Sequence, residues 1–336
     1  MPDHSYRNEY KGKTVLITGG AGCIGSNLTK ALIQAEASKI IVLDDLSAAE
    51  KWNIPVAPSV QFLKGSILDE EVMRRVFSQK LDFVFHLAAH FANQNSVDNP
   101  ETDLTVNGMG TLRVLEYSRL AKVGRVVFAS SGCSVYGNDA PLPLKEDFVS
   151  IHLDTPYQIT KLLGELYCNF YHNHYGLPVG IARYFNVYGP GEIPGLYRNV
   201  IPIFMWRAMH ALPLIISGTG EETRDFTYVD DIVDGTLRIG VIPEAVGQAF
   251  NLASETETKI SDLAGMVQTA TGYRSSQMIQ FIPRRDWDKI TRRRASIEKA
   301  RLILGYEPVT HLRDGVMDVY YWMRVNEEKI ESCARF

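Results

Sequence analysis

Tyr157 and Lys161 are the residues of this sequence best placed to move a proton. They lie four positions apart in the stretch TPYQITKLLGELYC, and on a helix that spacing brings both side chains to one face. A free phenol has a pKa of roughly 10 and is a poor base at neutral pH, but a neighbouring ammonium group lowers that pKa. The pair therefore predicts a tyrosine that acts as acid and base near neutral pH.

A second cluster of polar groups lies in the stretch SSGCSVYG at 130–137, directly after an apolar run. A buried strand that opens into a polar loop suits an active site. We expect Ser130 to hydrogen-bond at the strand end and Cys133 to pack as a small side chain. Ser131 and Ser134 then remain as the hydroxyls that could assist the tyrosine.

The stretch TVLITGGAGCIGSNL predicts a dinucleotide site, because Gly19, Gly22 and Gly25 follow the spacing G-x-x-G-x-x-G between a predicted strand and a predicted helix. Glycine lets the backbone turn tightly and lets a pyrophosphate reach the free N–H groups of the helix N-terminus. Asp44 ends the next predicted strand, where a carboxylate accepts from both ribose hydroxyls and repels a 2′-phosphate. We therefore expect NAD rather than NADP. The other loop residues expected to contact it are Cys23 and Ile24.

Composition narrows the class of protein. The chain has 336 residues, a net charge of −4, and 45% hydrophobic and 22% charged residues, which is ordinary for a globular protein and gives no nucleic-acid footprint. No apolar run reaches the ~18 residues that span a bilayer, and the polar N-terminus does not resemble a secretory signal. The four cysteines form no C-x-x-C pair, so we expect reduced thiols, no metal site and a cytoplasmic location.

Short runs of Val, Ile and Leu alternate with longer amphipathic stretches over the first half of the chain. The runs that predict buried strands are 14–17, 40–43, 61–63, 83–87, 123–128 and 179–182. The stretches that predict helices are 24–35, 69–78, 103–120 and 157–174. This alternation is typical of an α/β fold with a doubly wound parallel sheet and helices on both faces.

The sequence pattern changes after Gly189, where the stretch GPGEIPGLYRNVIP is rich in Gly and Pro and shows no helical or strand period in its apolar residues. A predicted helix at 231–242 and a strand near 250–252 are expected to return to the main sheet. We therefore predict a first domain at 1–187, with about 226–255 returning to it. A smaller, discontinuous domain comprises 188–225 and 256–336, and its part from 260 to about 321 is expected to be mostly helical.

Together these residues resemble the extended short-chain dehydrogenase/reductase family, in its NAD-dependent nucleotide-sugar epimerase and dehydratase branch. The resemblance covers nearly the whole chain. Besides the glycine loop, its motifs are HLAA at 86–89, VYG at 135–137, PYQITK at 156–161, RYFNVYGP at 183–190, RDFTYVDD at 224–231 and LGYEP at 304–308. It implies a Rossmann domain that carries NAD and a C-terminal domain that holds a nucleoside-diphosphate sugar.

The resemblance also implies roles for single residues. Cofactor contacts are expected from Ser66, Ile67, Leu87, Ala88, Ala89, Asn107, Tyr157 and Lys161, the lysine holding the nicotinamide ribose. The positive nicotinamide ring is expected to act with the ammonium in lowering the pKa of Tyr157. Substrate contacts are expected from Asn186, Val200, Arg224 and Arg285, the arginines aimed at phosphate. The unusual stretch HFANQNSVDNP should reach the sugar, so His90, Asn93, Gln94 and Ser134 complete the expected substrate contacts.

The implied mechanism is transient oxidation of the sugar, most often at C4. The resulting 4-keto sugar can be reduced on its other face, lose water, or lose carbon dioxide if C6 is a carboxylate. The 4,6-dehydratases of the family carry an Asp-Glu pair where this chain has Cys133 and Ser134, and its decarboxylases keep a glutamate at the position of Ser134. The sequence therefore favours an epimerase. A dehydratase, a decarboxylase, a 4-dehydrogenase and a noncatalytic NAD-binding regulator remain alternatives.

One position departs from the family pattern. Most members of the branch have Ser or Thr four residues before the tyrosine of VYG, and here that position is Gly132. Ser131 is our choice as the replacement hydroxyl, and Ser134 and Cys133 are the alternatives.

Relatives also form a dimer through a four-helix bundle, so we expect a homodimer in which apolar residues such as Leu163, Leu166 and Phe170 lie at the interface. The alternative is that this face packs on the chain's own sheet.

Overall fold

The runs of Val, Ile and Leu form the strands of a parallel sheet in the computed structural model, which describes residues 5–273 and 279–336. The strands are β1 Thr14–Thr18, β2 Lys39–Asp44, β3 Val60–Lys64, β4 Phe83–His86, β5 Arg125–Ser131, β6 Val179–Tyr184, β7 Val187–Tyr188, β8 Leu214–Ser217, β9 Thr223–Asp225, β10 Thr227–Tyr228, β11 Ala249–Leu252, β12 Glu257–Lys259 and β13 Ile279–Ile282. Seven of them form the main sheet in the order β11-β6-β5-β4-β1-β2-β3, with every neighbouring pair parallel.

Helices connect these strands. They are α1 Cys23–Gln34, α2 Glu70–Phe77, α3 Asn93–Asp98, α4 Pro100–Asp103, α5 Gly110–Leu120, α6 Pro156–Tyr175, α7 Val200–Met209, α8 Val229–Val241, α9 Ile260–Thr271, α10 Glu298–Leu304, α11 Leu312–Val325 and α12 Glu327–Glu331. A π-helical turn, Leu104–Met109, joins α4 to α5 and interrupts the helix predicted at 103–120. Within residues 5–273 and 279–336, none of the helices is long and apolar enough to cross a lipid bilayer.

The main sheet separates two apolar cores. Alternate residues of β1 contribute to opposite cores, Val15 and Ile17 to one and Leu16 to the other. The first core contains residues of α1 and α8, and the second contains residues of α2, α5 and α6. Helices on both faces of an all-parallel sheet confirm the doubly wound α/β prediction.

One strand of the later part of the chain, β11, joins this sheet, whereas β7 to β10, β12 and β13 form three two-stranded sheets. β11 pairs with β6, with Phe250 opposite Ala182, and α8 packs against β5 and β6. The part from 260 to 321 is less helical than predicted, because β13 pairs with β8 and the residues from 283 to 297 form no helix. Pro283 ends β13, and the charged residues that follow have no apolar period that could define a buried helical face.

Because the strands are parallel, their carboxyl ends lie along one edge of the sheet. The glycine loop follows β1, HLAA begins with the last residue of β4 and leads to His90, and SSGCSVYG begins with the last two residues of β5. Asn186 follows β6 at the same edge. Ligands of doubly wound folds bind outside this edge, so the topology brings the predicted site residues together.

His86, at the end of β4, is buried between two threonines. One ring nitrogen lies 2.8 Å from Oγ1 of Thr18 and the other 3.0 Å from Oγ1 of Thr111. Burial is the main cause that lowers the pKa of His86, to about 3, and the charge of Lys161 adds to it. The ring is therefore neutral in the folded chain.

The pKa of His86 predicts a loss of stability in acid. Between pH 6.5 and about 3 the unfolded chain binds a proton at this residue and the folded chain does not, so stability falls as the pH falls. At pH 5 this histidine alone should reduce the free energy of unfolding by about 2 kcal/mol relative to pH 7. Urea unfolding at both pH values should therefore show a smaller decrease for His86→Gln than for the unchanged chain, and equal decreases would contradict the assignment.

Candidate active site

The glycine loop is shaped by close contact with the strand beside it. Gly19 has φ +70°, and a Cβ at this position would lie 2.6 Å from the backbone nitrogen of Ala88. Gly22 is the N-cap of α1 and makes no side-chain cap, which leaves the first N–H groups of the helix open to an anion. Gly25, Cys23 and Ile24 lie in the first turn of that helix. The loop thus has the form that a bound pyrophosphate needs.

Asp44 joins this loop to the end of β2. Its carboxylate accepts from the backbone N–H groups of Ala21 at 3.0 Å and Leu46 at 2.9 Å. Burial raises the pKa of Asp44, while these two hydrogen bonds lower it. Two bonds leave acceptor capacity on the carboxylate, so the residue fits the ribose role expected from its position.

HLAA lies beside the glycine loop, because β4 and β1 are neighbouring strands that end at the same edge of the sheet. The N–H of Leu87 donates to the backbone oxygen of Thr18 at 3.0 Å, and the N–H of Ala88 donates to the hydroxyl of the same threonine at 3.3 Å. Ala89 continues this segment, half-buried. Ser66 and Ile67 follow β3, where the serine hydroxyl accepts from the N–H of Leu68 and the isoleucine is buried.

Asn107 lies in the π-helical turn and holds the next loop. Its side-chain amide accepts from the N–H of His90 at 2.8 Å and donates to the backbone oxygen of the same residue at 3.1 Å. It also donates to Asp103 at 2.7 Å, and Asp103 accepts from Thr160 of α6 at 2.7 Å. Asp103 is fully buried, and the sequence analysis did not identify this link between the loop after β4 and the helix of Tyr157.

Tyr157 and Lys161 share the first turns of α6 as predicted. The Lys161 ammonium donates to the backbone oxygen of Ala129 at 2.9 Å and lies 5.5 Å from the centre of the Tyr157 ring. Burial lowers the pKa of Lys161 to about 8. Burial also raises the pKa of Tyr157, with Asp103 and Cys133 adding to the rise. The lowering expected from the lysine together with the positive nicotinamide ring of bound NAD stays a prediction.

Gly132 occupies its position because there is no room for a side chain. A Cβ there would lie 1.9 Å from Cε2 of Phe185, inside the van der Waals radius of the ring. The N–H of Gly132 also donates to the backbone oxygen of Tyr184, which fixes the loop against β6. The usual Ser or Thr therefore cannot stand here while Phe185 keeps its place.

Ser131 and Ser134 form a hydroxyl pair on either side of this glycine. Ser134 Oγ donates to Ser131 Oγ at 2.9 Å, and the backbone N–H of Ser134 donates to the backbone oxygen of Ser131. Ser134 is 1% exposed, whereas Ser131 is half-buried and keeps its own proton available. Ser131 is therefore the more accessible hydroxyl of the pair, and the buried Ser134 hydroxyl orients it through their hydrogen bond.

The three polar residues expected to reach the sugar have different surroundings. Asn93 accepts from the Thr155 hydroxyl at 2.7 Å, so it anchors the N-cap of α6. Gln94 accepts from the indole N–H of Trp287 at 2.9 Å. His90 keeps Nε2 buried without a hydrogen-bond partner among the described residues, which leaves this nitrogen for a ligand.

The residues expected at the nucleotide and its diphosphate lie on four different segments of the chain. Asn186 has φ +31° and donates to the backbone oxygen of Asp225 at 3.0 Å, and Val200 is the first residue of α7. Arg224 pairs with Asp288 at 3.2 Å. Arg285 is exposed and lies over the ring of Trp287 at 5.6 Å.

A buried ion pair behind the SSGCSVYG loop was missed by the sequence analysis. Arg183 of β6 donates twice to Glu165 of α6, at 2.8 and 3.0 Å, and both side chains are about 5% exposed or less. Ser130 also donates to Glu165, and Arg183 donates to the Tyr136 hydroxyl at 3.0 Å. A single arginine inside the apolar run VGIARY was the signal, because such a charge is buried only with a partner.

A segment after β13 contacts three other segments of the chain, and we call its residues 284–293 the strap. Besides the Trp287–Gln94 bond, Lys289 pairs with Asp154 at 3.1 Å, three residues before Tyr157. Arg293 donates to the backbone oxygen of Cys133 at 2.9 Å. The strap thus touches the segments after β4, before α6 and after β5.

Known proteins with this arrangement are numerous. A UDP-glucose 4-epimerase from Mycolicibacterium smegmatis is 36% identical over 312 residues, which cover 92% of this chain and 98% of that protein. The solved structure of the epimerase Mth375 from Methanothermobacter thermautotrophicus has a TM-score of 0.97 and 53% identity, and the match covers 98% of each chain. The Bordetella bronchiseptica enzyme WbmF, solved with NAD+ and UDP, has a TM-score of 0.85 and 34% identity over 97% of this chain and 96% of that one.

The family match agrees with the site. The model of the NAD-dependent epimerase/dehydratase family matches residues 15–253, which include the glycine loop, Tyr157 and Lys161. NAD is thereby confirmed as the cofactor that the loop and Asp44 predict. The chain belongs to the NAD-dependent epimerase/dehydratase family.

Proposed function

We propose that the chain is an NAD-dependent 4-epimerase of nucleoside-diphosphate sugars that works through a transient 4-keto sugar, with a UDP-hexose or a UDP-hexuronate as substrate. The observation that carries the proposal is the combination of a buried Tyr157–Lys161 pair with the Ser131–Ser134 hydroxyl pair. The relatives named above support the UDP group and the reaction at C4. The glycine loop, Asp44 and Lys161 would hold NAD, which would supply the hydride acceptor and donor for C4.

The chain's own residues would manage the proton. Tyr157 removes the proton of the O4 hydroxyl as the C4–H bond breaks, and returns it when the 4-keto sugar is reduced. Ser131 donates a hydrogen bond to the reacting oxygen, supported by Ser134. Lys161 would hold the nicotinamide ribose from the next turn of the same helix, and Asp44 would hold the adenosine ribose. The other residues proposed for the cofactor and the substrate are those placed in the cleft above.

The residues of the SSGCSVYG loop favour epimerisation over elimination. Dehydration needs a group that protonates the leaving hydroxyl and a base that removes the C5 proton. Cys133 and Ser134 occupy the corresponding loop positions, and burial raises the pKa of the Cys133 thiol, which keeps it protonated. A thiol and a hydroxyl are weak acids and weak bases at neutral pH. The 4-keto sugar should therefore be re-reduced with C5 untouched.

Proton NMR in heavy water tests the proposal. The protein would be incubated with UDP-, GDP-, CDP- and dTDP-sugars, and we expect a C4 epimer of a UDP-sugar with no deuterium on carbon. Deuterium at C5 or C6 would indicate dehydration, decarboxylation or 3,5-epimerisation instead. Accumulation of NADH would indicate a 4-dehydrogenase. NAD binding without turnover of any sugar would favour a noncatalytic regulator.

The proposed active site lies between two parts of the chain. We propose a Rossmann domain at 1–187 that includes about 226–255, and a substrate domain of 188–225 and 256–336. The pairing of β11 with β6 supports this division, and the strap contacts cross the boundary. We also propose a cytoplasmic location, supported by four cysteines that are each unpaired.

A homodimer through α5 and α6 is the proposed assembly. Leu166 and Phe170 on α6 are 57% and 47% exposed, and with Leu163 and Tyr167 they line a shallow apolar hollow. Leu120, at the end of α5, is 61% exposed. An apolar face of this kind does not pack on the chain's own sheet and suits a four-helix contact.

Charge placed on this face should separate the protomers. Leu166→Glu is expected to convert the dimer to a monomer in light scattering at micromolar concentration, because a buried carboxylate opposes association. Leu302→Glu, at a residue of α10 that is 83% exposed, is the matched control and should leave the mass unchanged. A dimer that persists in Leu166→Glu would place the interface elsewhere.

A further inference from the structure

Arg293 is a buried cation with no acidic partner. Its side chain is only 3% exposed, and among residues 5–273 and 279–336 no carboxylate oxygen lies within 4 Å of its guanidinium. Its hydrogen bond goes to a neutral group, the backbone oxygen of Cys133. Burying a guanidinium is costly unless an anion compensates it, so this residue points to a missing negative charge.

The neighbours of Arg293 do not supply that charge. Burial is the main cause that lowers the pKa of Arg293 to about 10. The charge of Arg224 lowers it too, while Cys133 and Asp288 raise it without offsetting the burial. Asp288 forms an ion pair with Arg224, and Arg292, which lines the same cavity as Arg293, pairs with Glu257. Arg224 and Arg292 therefore each have a carboxylate partner, whereas no described carboxylate oxygen lies within 4 Å of the Arg293 guanidinium.

The position of Arg293 links it to the sugar rather than to the nucleotide. Its partner Cys133 follows the Ser131 of the proposed proton relay by two residues, and Cys133 is near enough to raise the pKa of Tyr157. Arg293 also lines a polar cavity of about 200 Å³ with Gly137, Lys289 and Ile290. An anion at Arg293 would thus lie beside the loop that faces the reacting carbon.

We propose that Arg293 binds a carboxylate carried by the sugar, so that the preferred substrate is a UDP-hexuronate with its carboxylate at C6. A planar guanidinium can bind a carboxylate with two parallel hydrogen bonds, which a neutral hydroxymethyl group cannot match. This inference rests on the proposed function for the reaction, but not for the binding. The competing occupant of the same cation is the substrate diphosphate.

Binding and turnover of matched sugars distinguish these cases. Calorimetry with UDP-glucuronate, UDP-glucose and UDP would be combined with kcat/KM for 4-epimerisation, for the unchanged chain and for Arg293→Met. We expect the unchanged chain to bind UDP-glucuronate about 100-fold more tightly than UDP-glucose, and Arg293→Met to remove most of that preference. The Kd of UDP should change less than about threefold. Arg294→Met, at the exposed neighbouring residue, is the control and should keep the preference.

Three outcomes would overturn the proposal. Equal affinity of the unchanged chain for the two sugars would exclude a carboxylate site. A parallel loss of UDP binding in Arg293→Met would assign the residue to the diphosphate. A preference that persists in Arg293→Met would assign the carboxylate to another residue. Calorimetry does not depend on turnover, so a chain that prefers the acid in binding but epimerises neither sugar would support this inference and contradict the proposed reaction.

Discussion

Replacing Tyr157 by Phe is expected to lower kcat for epimerisation by about 10³- to 10⁴-fold, because the hydroxyl is the acid and base of both half-reactions. The ring of Tyr157 is buried and packs edge-on against Phe91. Phenylalanine keeps the same ring, so the substitution preserves this packing. The backbone N–H of residue 157 also keeps its hydrogen bond to Ser96. The fold and the cofactor site should therefore be unchanged, and the lost rate should reflect the phenol alone.

The measurement is single-turnover epimerisation, with NAD content read from the released cofactor. Tyr167→Phe, on the same helix but at the outer apolar hollow, is the matched control and should keep normal turnover. A Tyr157→Phe enzyme that retains a tenth or more of the rate would assign the proton transfer to another group, and Ser131 and His90 are the candidates. Loss of NAD together with activity would instead make Tyr157 a cofactor-binding residue.

The pKa of Tyr157 explains why this tyrosine needs bound NAD in order to act as a base. Burial raises the pKa of Tyr157, so in the chain alone the phenol stays protonated at neutral pH. The Lys161 ammonium does not offset this, because it is itself buried and donates to Ala129. A further positive charge beside the phenol would favour the phenolate, and the nicotinamide ring of bound NAD is such a charge. The tyrosine should thus become a base only when cofactor is bound.

The parts of this site that the sequence predicted are those that depend on local pattern. Strand and helix periodicity predicted the sheet, and parallel strands place their carboxyl ends together whatever the side chains are. The glycine spacing and Asp44 could be interpreted because each lies within a few residues of the strand that positions it. The helical spacing of Tyr157 and Lys161 was predicted correctly for the same reason.

The parts that it missed depend on contacts between distant segments. Nothing near Gly132 in the chain reveals that Phe185 fills the space beside it. The Arg183–Glu165 pair joins a strand to a helix, and the strap reaches Gln94 and Asp154 from nearly 200 and 135 residues away. Local spacing carries no information on which way Lys161 turns once its charge is buried. These features decide the electrostatics of the site, which is why its chemistry was predicted less well than its fold.

Replacing Ser131 by Ala should slow epimerisation by about 100-fold or more. Replacing Ser134 by Ala should have a smaller effect, a rate loss of roughly tenfold. Ser131 is the half-buried member of the pair, with a proton free to reach the substrate oxygen. Ser134 acts through Ser131, since its own hydroxyl is buried and donates to that residue. Loss of Ser134 should therefore weaken the orientation of the helper without removing it.

The double variant and Gly132→Ser complete this test. Because the two hydroxyls act in series, Ser131→Ala with Ser134→Ala should be no slower than Ser131→Ala alone, whereas independent roles would multiply their effects. Gly132→Ser restores the family's usual hydroxyl, yet it should destabilise the chain, because its Cβ would overlap Phe185. Thermal unfolding and kcat for the four variants test both points. A larger rate loss for Ser134→Ala than for Ser131→Ala would reverse the assignment and make Ser134 the residue that contacts the sugar.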